Sequence, residues 1–256
     1  MEIKNVVFSY DNVRDQLKDI TVGIEQGKVT TIIGPNGCGK STLLNVMSRN
    51  YTPRQGSIIL DGKEISTYKA KEFAKKLAVV HQQNEAPADM TVENLVSFGR
   101  LPHKKMFKRP NEDDEQSIEW ALEKTKLQAK RKMVISELSG GEKQRVWIAM
   151  MLAQNTPILF LDEPTTFLDM YYQIEILDLV KHLNELHGMT IVMVLHDINQ
   201  AIRYSNSIIM MKDGEVKMKG HPTDVITVEA MKDIYGVDVI VKEDEEAGRY
   251  LVPMGI

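Results

Sequence analysis

Cysteine is nearly absent: 256 residues hold one, Cys38. No internal disulfide can form, which points to a reducing compartment. Long apolar runs are missing as well. The longest spans residues 189–195, interrupted by Thr190, far short of the ~20 residues that cross a bilayer. The opening MEIKNVVFSYDN has no apolar stretch of signal-peptide type. Neither charge sign dominates: 32 basic residues face 36 acidic ones, a net of −4. That argues against a protein whose main task is wrapping nucleic acid. With 16 glycines and 9 prolines, collagen-like and low-complexity classes are excluded, and no internal repeat is visible. What remains is ordinary globular material, 43% hydrophobic and 27% charged. Its length suits one or two domains with a large core.

The pattern along the chain predicts an α/β protein. Residues 3–10 and 20–25 read as strands around a turn-like NVRDQ. Residues 29–33, 77–80, 158–161 and 191–195 are short apolar runs of the kind that suit strands buried on both faces. Asp61-Gly62 and Asp213-Gly214 signal hairpins, the second between strands at 207–211 and 215–218. Between residues 84 and 155 the pattern turns helical. Asn111 precedes an acidic cluster suited to a helix start, and 141–154 reads as a further helix. Residues 176, 179, 180 and 183 mark an amphipathic helix. The last 35 residues read as one short helix and small strands. The expected organisation is a single unit with a core of 1–83 and 156–256 and a helical subdomain of 84–155.

Residues 34–42, Gly34-Pro35-Asn36-Gly37-Cys38-Gly39-Lys40-Ser41-Thr42, fit G-x-x-x-x-G-K-[ST] between a predicted strand and a predicted helix. The glycines let backbone N–H groups converge on phosphate oxygens, and the helix adds its positive end. Lys40 is placed to neutralise β- and γ-phosphates, and the Ser41 hydroxyl to ligate Mg²⁺. The run ILFLDE, residues 158–163, brings two carboxylates to a strand end. Asp162 suits Mg²⁺ and Glu163 suits polarisation of the attacking water. The helix start and Lys40 predict a lowered thiol pKa at Cys38, so that alkylation would block nucleotide and ATP would protect.

Many NTPases share such a loop. LSGGEKQR, residues 138–145, narrows the class: Ser139, Gly140 and Gly141 at a helix start form a second anion site, and the segment resembles the signature of ATP-binding-cassette (ABC) ATPases. The resemblance covers nearly the whole chain. It implies a P-loop NTPase cassette with a mixed and parallel β core, an N-terminal antiparallel β subdomain and an α-helical insertion. It implies a head-to-tail dimer in which each ATP lies between one copy's loop and the other copy's signature. Tyr10 resembles the aromatic that stacks on adenine. Gln82 resembles the glutamine that reaches Mg²⁺ and γ-phosphate, with Gln83 the adjacent alternative. Asp169, in TFLD, resembles the loop that crosses the dimer interface. His196 resembles the histidine that contacts the γ-phosphate and aligns water.

MTVENLVSFGRLPH, residues 90–103, resembles the corresponding part of ATPases that energise importers of iron–siderophore complexes, haem and vitamin B12, and the C-terminal GVDVIVKEDEEAGRYLVP resembles the tails of the iron–siderophore group, so iron–siderophore import is the expected task. GRLPH at 99–103 is the most telling piece. The resemblance implies membrane permease subunits as partners, indirectly an extracytoplasmic solute-binding protein, no nucleic acid, and a place at the cytoplasmic face of the membrane. The alternatives are a soluble ABC ATPase in DNA repair or cluster assembly, or import of another solute such as haem or vitamin B12. The basic patch HKKMFKR at 103–109 reads as a solvated loop, with attraction to anionic headgroups as its alternative.

Overall fold

The computed structural model describes residues 1–82, 84–104, 112–246 and 248–256. The chain packs into two compact units, Met1–Tyr68 with Thr190–Ile256, and Lys69–Met189. The second unit contains the expected helical region and extends beyond it at both ends.

The first unit opens with strands β1 (Glu2–Phe8) and β2 (Leu17–Gly23), paired antiparallel. Their inward positions Ile3, Val6, Ile20 and Val22 are buried; a register shift between Ile3 and Val6 interrupts the alternation and keeps both on the inner face. Strand β1 stops at Phe8, two residues short of the sequence expectation. Asp11 Oδ1 accepts from Ser9 Oγ at 3.0 Å, Val13 N at 2.8 Å and Arg14 N at 3.1 Å, so local side-chain bonds win over the ladder. Strand β3 (Val29–Ile33), buried throughout, leads into helix α1 (Lys40–Met47). Strands β4 (Gln55–Leu60) and β5 (Lys63–Glu64) form the hairpin expected at Asp61-Gly62, and β4 also pairs with β1.

The second unit holds α2 (Ala70–Phe73), β6 (Leu77–Val80), α3 (Val92–Ser97), α4 (Glu112–Lys124), α5 (Gly140–Ala153), β7 (Ile158–Asp162) and α6 (Met170–His187). Strands β6 and β7 are parallel, Leu77 to Val80 against Ile158 to Leu161. Four acids open α4, where the helix dipole favours them. Asp169 caps α6 by accepting from Tyr172 N, and Gly188 closes it in the left-handed conformation, φ 62°.

Back in the first unit come β8 (Thr190–Val194), α7 (Ile198–Tyr204), β9 (Ser207–Lys212) and β10 (Glu215–Gly220). Strand β3 runs parallel to both β8 and β9, and β9 turns into β10 antiparallel at Asp213-Gly214 as expected. The three parallel strands are apolar-rich because both faces are covered. The C-terminal region corrects the sequence expectation of one helix. Two form, α8 (Pro222–Val225) and α9 (Val228–Tyr235), followed by the hairpin of β11 (Asp238–Asp244) and β12 (Gly248–Gly255). Pro222 starts the first, and the Thr227 hydroxyl caps a fresh start by accepting from Ala230 N at 3.1 Å. Among the described residues no helix is long and apolar enough to cross a membrane.

Candidate functional site

The glycine-rich loop joins buried β3 to α1. Gly39 is the N-cap at φ 105° with no side-chain cap bond, so the N–H groups of the first turn have no acceptor inside the helix and none from a capping side chain. Gly34, at φ 152°, passes so close to the Met211 carbonyl that a Cβ has no room. Lys40 is 6% exposed. Its Nζ donates to Gly34 O at 2.8 Å and Pro35 O at 3.1 Å, which holds the ammonium against its own loop. Asn36 and Gly37 are exposed, Ser41 is half-buried and Thr42 buried. Gln16 Nε2 donates to Gly37 O at 3.0 Å, tying the loop to the start of β2.

Tyr10 is 61% exposed, outside the strand core. Its hydroxyl meets Thr42 Oγ1 at 3.0 Å, and its ring lies edge-on to Phe8 and Tyr51 with centroids at 4.9 and 5.5 Å. The Cys38 expectation is corrected. The side chain is buried, and burial pushes the thiol above its ordinary range despite the nearby Lys40 charge. His196, also in the first unit, is exposed. It stands between buried Leu195, whose N–H donates to Ile32 O at 3.3 Å, and Asp197, the N-cap of α7.

In the second unit, β7 delivers a buried Asp162. Glu163 follows with φ 52°, a left-handed conformation that costs roughly 1–2 kcal/mol for a side chain of this kind. Its Oε2 accepts from Gln82 Nε2 at 2.6 Å and from Thr166 Oγ1 at 3.0 Å. The structure thus brings together two predicted residues 81 apart and adds Thr166, which the sequence placed only in the TFLD loop and not on Glu163. Its only signal was a hydroxyl three residues beyond the acid. Gln83 lies outside the described residues.

The signature helix begins differently from α1. Ser139 Oγ accepts from Glu142 N at 3.4 Å, and Glu142 Oε2 accepts from Ser139 N at 2.9 Å, a capping box. Lys130 donates to Glu142 Oε1. These contacts hold the Glu142 carboxyl down at about 2, the Lys130 bond first. A Cβ on Gly141 would lie 2.5–2.9 Å from the Tyr172 ring, so this glycine has a packing reason beside any phosphate role. Gly140 has open room by comparison, its nearest atom at 4.0 Å. Phe167, at φ 64° and 91% exposed, precedes Leu168 and the capping Asp169.

Within GRLPH, Gly99 and Arg100 are buried, Pro102 and His103 half-buried and Leu101 exposed. Gly99 lies under the Met150 carbonyl. Buried Arg100 donates to Asp114 Oδ1 and Ala153 O, both at 2.8 Å. His103 Nε2 meets Gln154 O at 2.8 Å, and burial lowers its pKa. Arg100 and His103 therefore tie down the C-terminal end of α5, while Leu101 and Phe98 face solvent. Of the basic patch, Lys105 and Lys108, with the rest of 105–109, lie outside the described residues; Lys104 is described and half-buried.

A phosphate loop on a parallel-strand core, an acid pair at a second strand end and a signature helix define a nucleotide-binding α/β protein. Comparison with known proteins narrows the class. A family profile described as ABC transporter matches residues 17–166. The chain is 47% identical over 242 residues to the petrobactin import ATP-binding protein FpuC of Bacillus anthracis, covering 94% of this chain and 89% of that one. It is 45% identical over 233 residues to the iron(3+)-hydroxamate import ATP-binding protein FhuC of Bacillus subtilis, covering 91% and 87%. A dimeric post-hydrolysis structure of the ATP-binding cassette MJ0796 bound to ADP and Pi superposes with a TM-score of 0.74 at 32% identity, covering 86% of this chain and 98% of that one. The chain belongs to the ABC transporter family. It binds ATP and is an ATPase.

Proposed function

We propose that this ATPase powers import of iron–siderophore complexes. It acts at the cytoplasmic face of the membrane with permease subunits and, through them, an extracytoplasmic solute-binding protein. Both relatives above carry import of iron or a siderophore in their names, and the match extends over about nine-tenths of each chain. Two copies close head to tail, each ATP held between the loop of one and Ser139, Gly140 and Gly141 of the other. The dimeric nucleotide-bound relative supports that arrangement.

The chemistry is phosphoryl transfer to water, which needs positioning and charge neutralisation more than covalent steps. The loop at 34–42 supplies N–H donors, and Lys40 transfers its hydrogen bonds from Gly34 and Pro35 to phosphate oxygens. Tyr10 stacks on adenine. Glu163 takes the proton of the attacking water, His196 aligns that water against the γ-phosphate, and Asp169 meets the partner. Ser41, Asp162 and Gln82 present oxygen donors of the hard type that Mg²⁺ prefers. Among the described residues no group of three or more His, Cys, Asp or Glu could hold a metal. This donor set suits an ion that arrives with the triphosphate and keeps part of its water shell. When bound, it neutralises charge on the β- and γ-oxygens.

The observation that carries the reading is Glu163: a carboxylate at the end of a fully buried strand, held by Gln82 and Thr166. The wild-type chain is expected to restore radiolabelled ferric-siderophore uptake in a deletion strain. Glu163→Gln is expected to bind ATP, accumulate closed dimer, lose roughly 100- to 10,000-fold in kcat and fail to restore uptake. Normal turnover in that variant removes the base assignment. Uptake unchanged by the deletion removes the solute assignment.

A further inference from the structure

We infer that Lys130 is a positioning residue for ATP closure: it neutralises the Glu142 carboxylate held at the helix mouth, so that the signature helix can accept a triphosphate. The inference rests on the reading of Ser139, Gly140 and Gly141 as the second anion site.

Glu142 is the third residue of α5, and its side chain folds back to the N-cap, where Oε2 accepts from Ser139 N at 2.9 Å. The carboxylate therefore sits at the mouth of the helix. That is where the N–H groups of the first turn point and where the partner's γ-phosphate would arrive. A full negative charge there opposes the incoming anion. Lys130, in a short 3-10 turn at Gln128–Lys130, pairs with the other oxygen, Oε1. Each carboxylate oxygen thus has a donor, and the local charge falls to nearly zero. The Glu142 side chain is only 14% exposed, so water screens it poorly. The capping box organises the helix start before nucleotide comes. Lys130 removes the electrostatic penalty of building that box from a glutamate.

The test uses apparent KM for ATP of the full chain. Lys130→Met is expected to raise KM about tenfold, the scale of one unit charge acting over roughly 10 Å, with kcat at saturating ATP little changed. The defect should shrink as salt rises past about 0.1 M, where the Debye length falls below ~10 Å. Lys130→Arg should behave as wild type. Glu142→Gln placed in the Lys130→Met chain should restore KM, because the uncompensated charge is gone. A wild-type KM in Lys130→Met overturns the inference. So does a defect that salt and Glu142→Gln leave in place, which would mark Lys130 as a packing strut. Ser139→Glu separates the two layers. A raised KM there with a normal Lys130→Met removes only the Lys130 role, whereas a normal KM in Ser139→Glu removes the second anion site itself.

Discussion

Two helices of this protein begin at glycine-bearing turns, and they begin in opposite ways. Helix α1 has Gly39 as its N-cap and no side chain closing it. Helix α5 has Ser139 as its N-cap and closes itself with Glu142. In α1 the balancing cation, Lys40, belongs to the helix and rests on carbonyls five and six residues back. In α5 it comes from a separate turn, at Lys130. The first start carries no side-chain cap, which suits the anion cradle proposed for it, since a capping side chain would compete with phosphate. The second is already closed by the Ser139–Glu142 box, so on the proposed reading a phosphate arriving there meets a start that is already capped. An uncapped start and a capped one in the same chain suit the proposed division of labour, with nucleotide loading at the first and closure at the second.

That contrast can be broken in order of severity. Gly34→Ala should be the most damaging change. A Cβ would strike the Met211 carbonyl at a φ that disfavours side chains, and a loss of about 3 kcal/mol or more is expected. It would be read as a drop in urea midpoint together with loss of ATP binding. Gly141→Ala should cost about 1–3 kcal/mol through its clash with the Tyr172 ring. Because Tyr172 is a side chain that can shift, ATP loading at α1 should survive while ATPase activity falls, which nucleotide binding and turnover measured on the same sample would show. The smallest effect is in acid. The Glu142 carboxyl is depressed from its ordinary 4.5 to about 2. A depressed acid stabilises the fold above its unfolded pKa, and that contribution is lost as pH falls through the folded value. The stability advantage of wild type over Glu142→Gln should therefore be constant above about pH 5 and shrink between 4.5 and about 2. Urea titrations at stepped pH would show this, and a gap unchanged down to pH 2 would mean the pair with Lys130 contributes nothing.

The two starts also differ in how far they could be read in advance. At α1 almost everything is local. Glycine spacing, Lys40 and the preceding apolar strand lie within about a dozen positions, and the bonds observed span five or six residues. The Ser139–Glu142 box spans three and is visible as S-x-x-E, yet the sequence reading stopped at Ser139 and did not follow the glutamate to Lys130. Tyr10 was legible as an aromatic near a turn, but its exposure follows from the Asp11 bonds that end β1. The Cys38 expectation failed because proximity to Lys40 is visible in sequence whereas burial is not, and burial is the larger effect. GRLPH stood out only by resemblance, and nothing in its own residues shows that Arg100 and His103 turn to the carbonyls of Ala153 and Gln154, more than 50 residues away.

By itself the sequence determined most of the buried strands and the longer helices, the phosphate loop, the acidic strand end and the signature helix. Each is a short-range pattern in which neighbours along the chain are neighbours in space. Tertiary structure alone decided that Gln82 would grip Glu163, that Tyr172 would require a glycine at 141, and that Lys130 would answer Glu142. Those partners meet by packing between elements, and a contact made across a fold leaves no period or spacing in the chain from which it could be read.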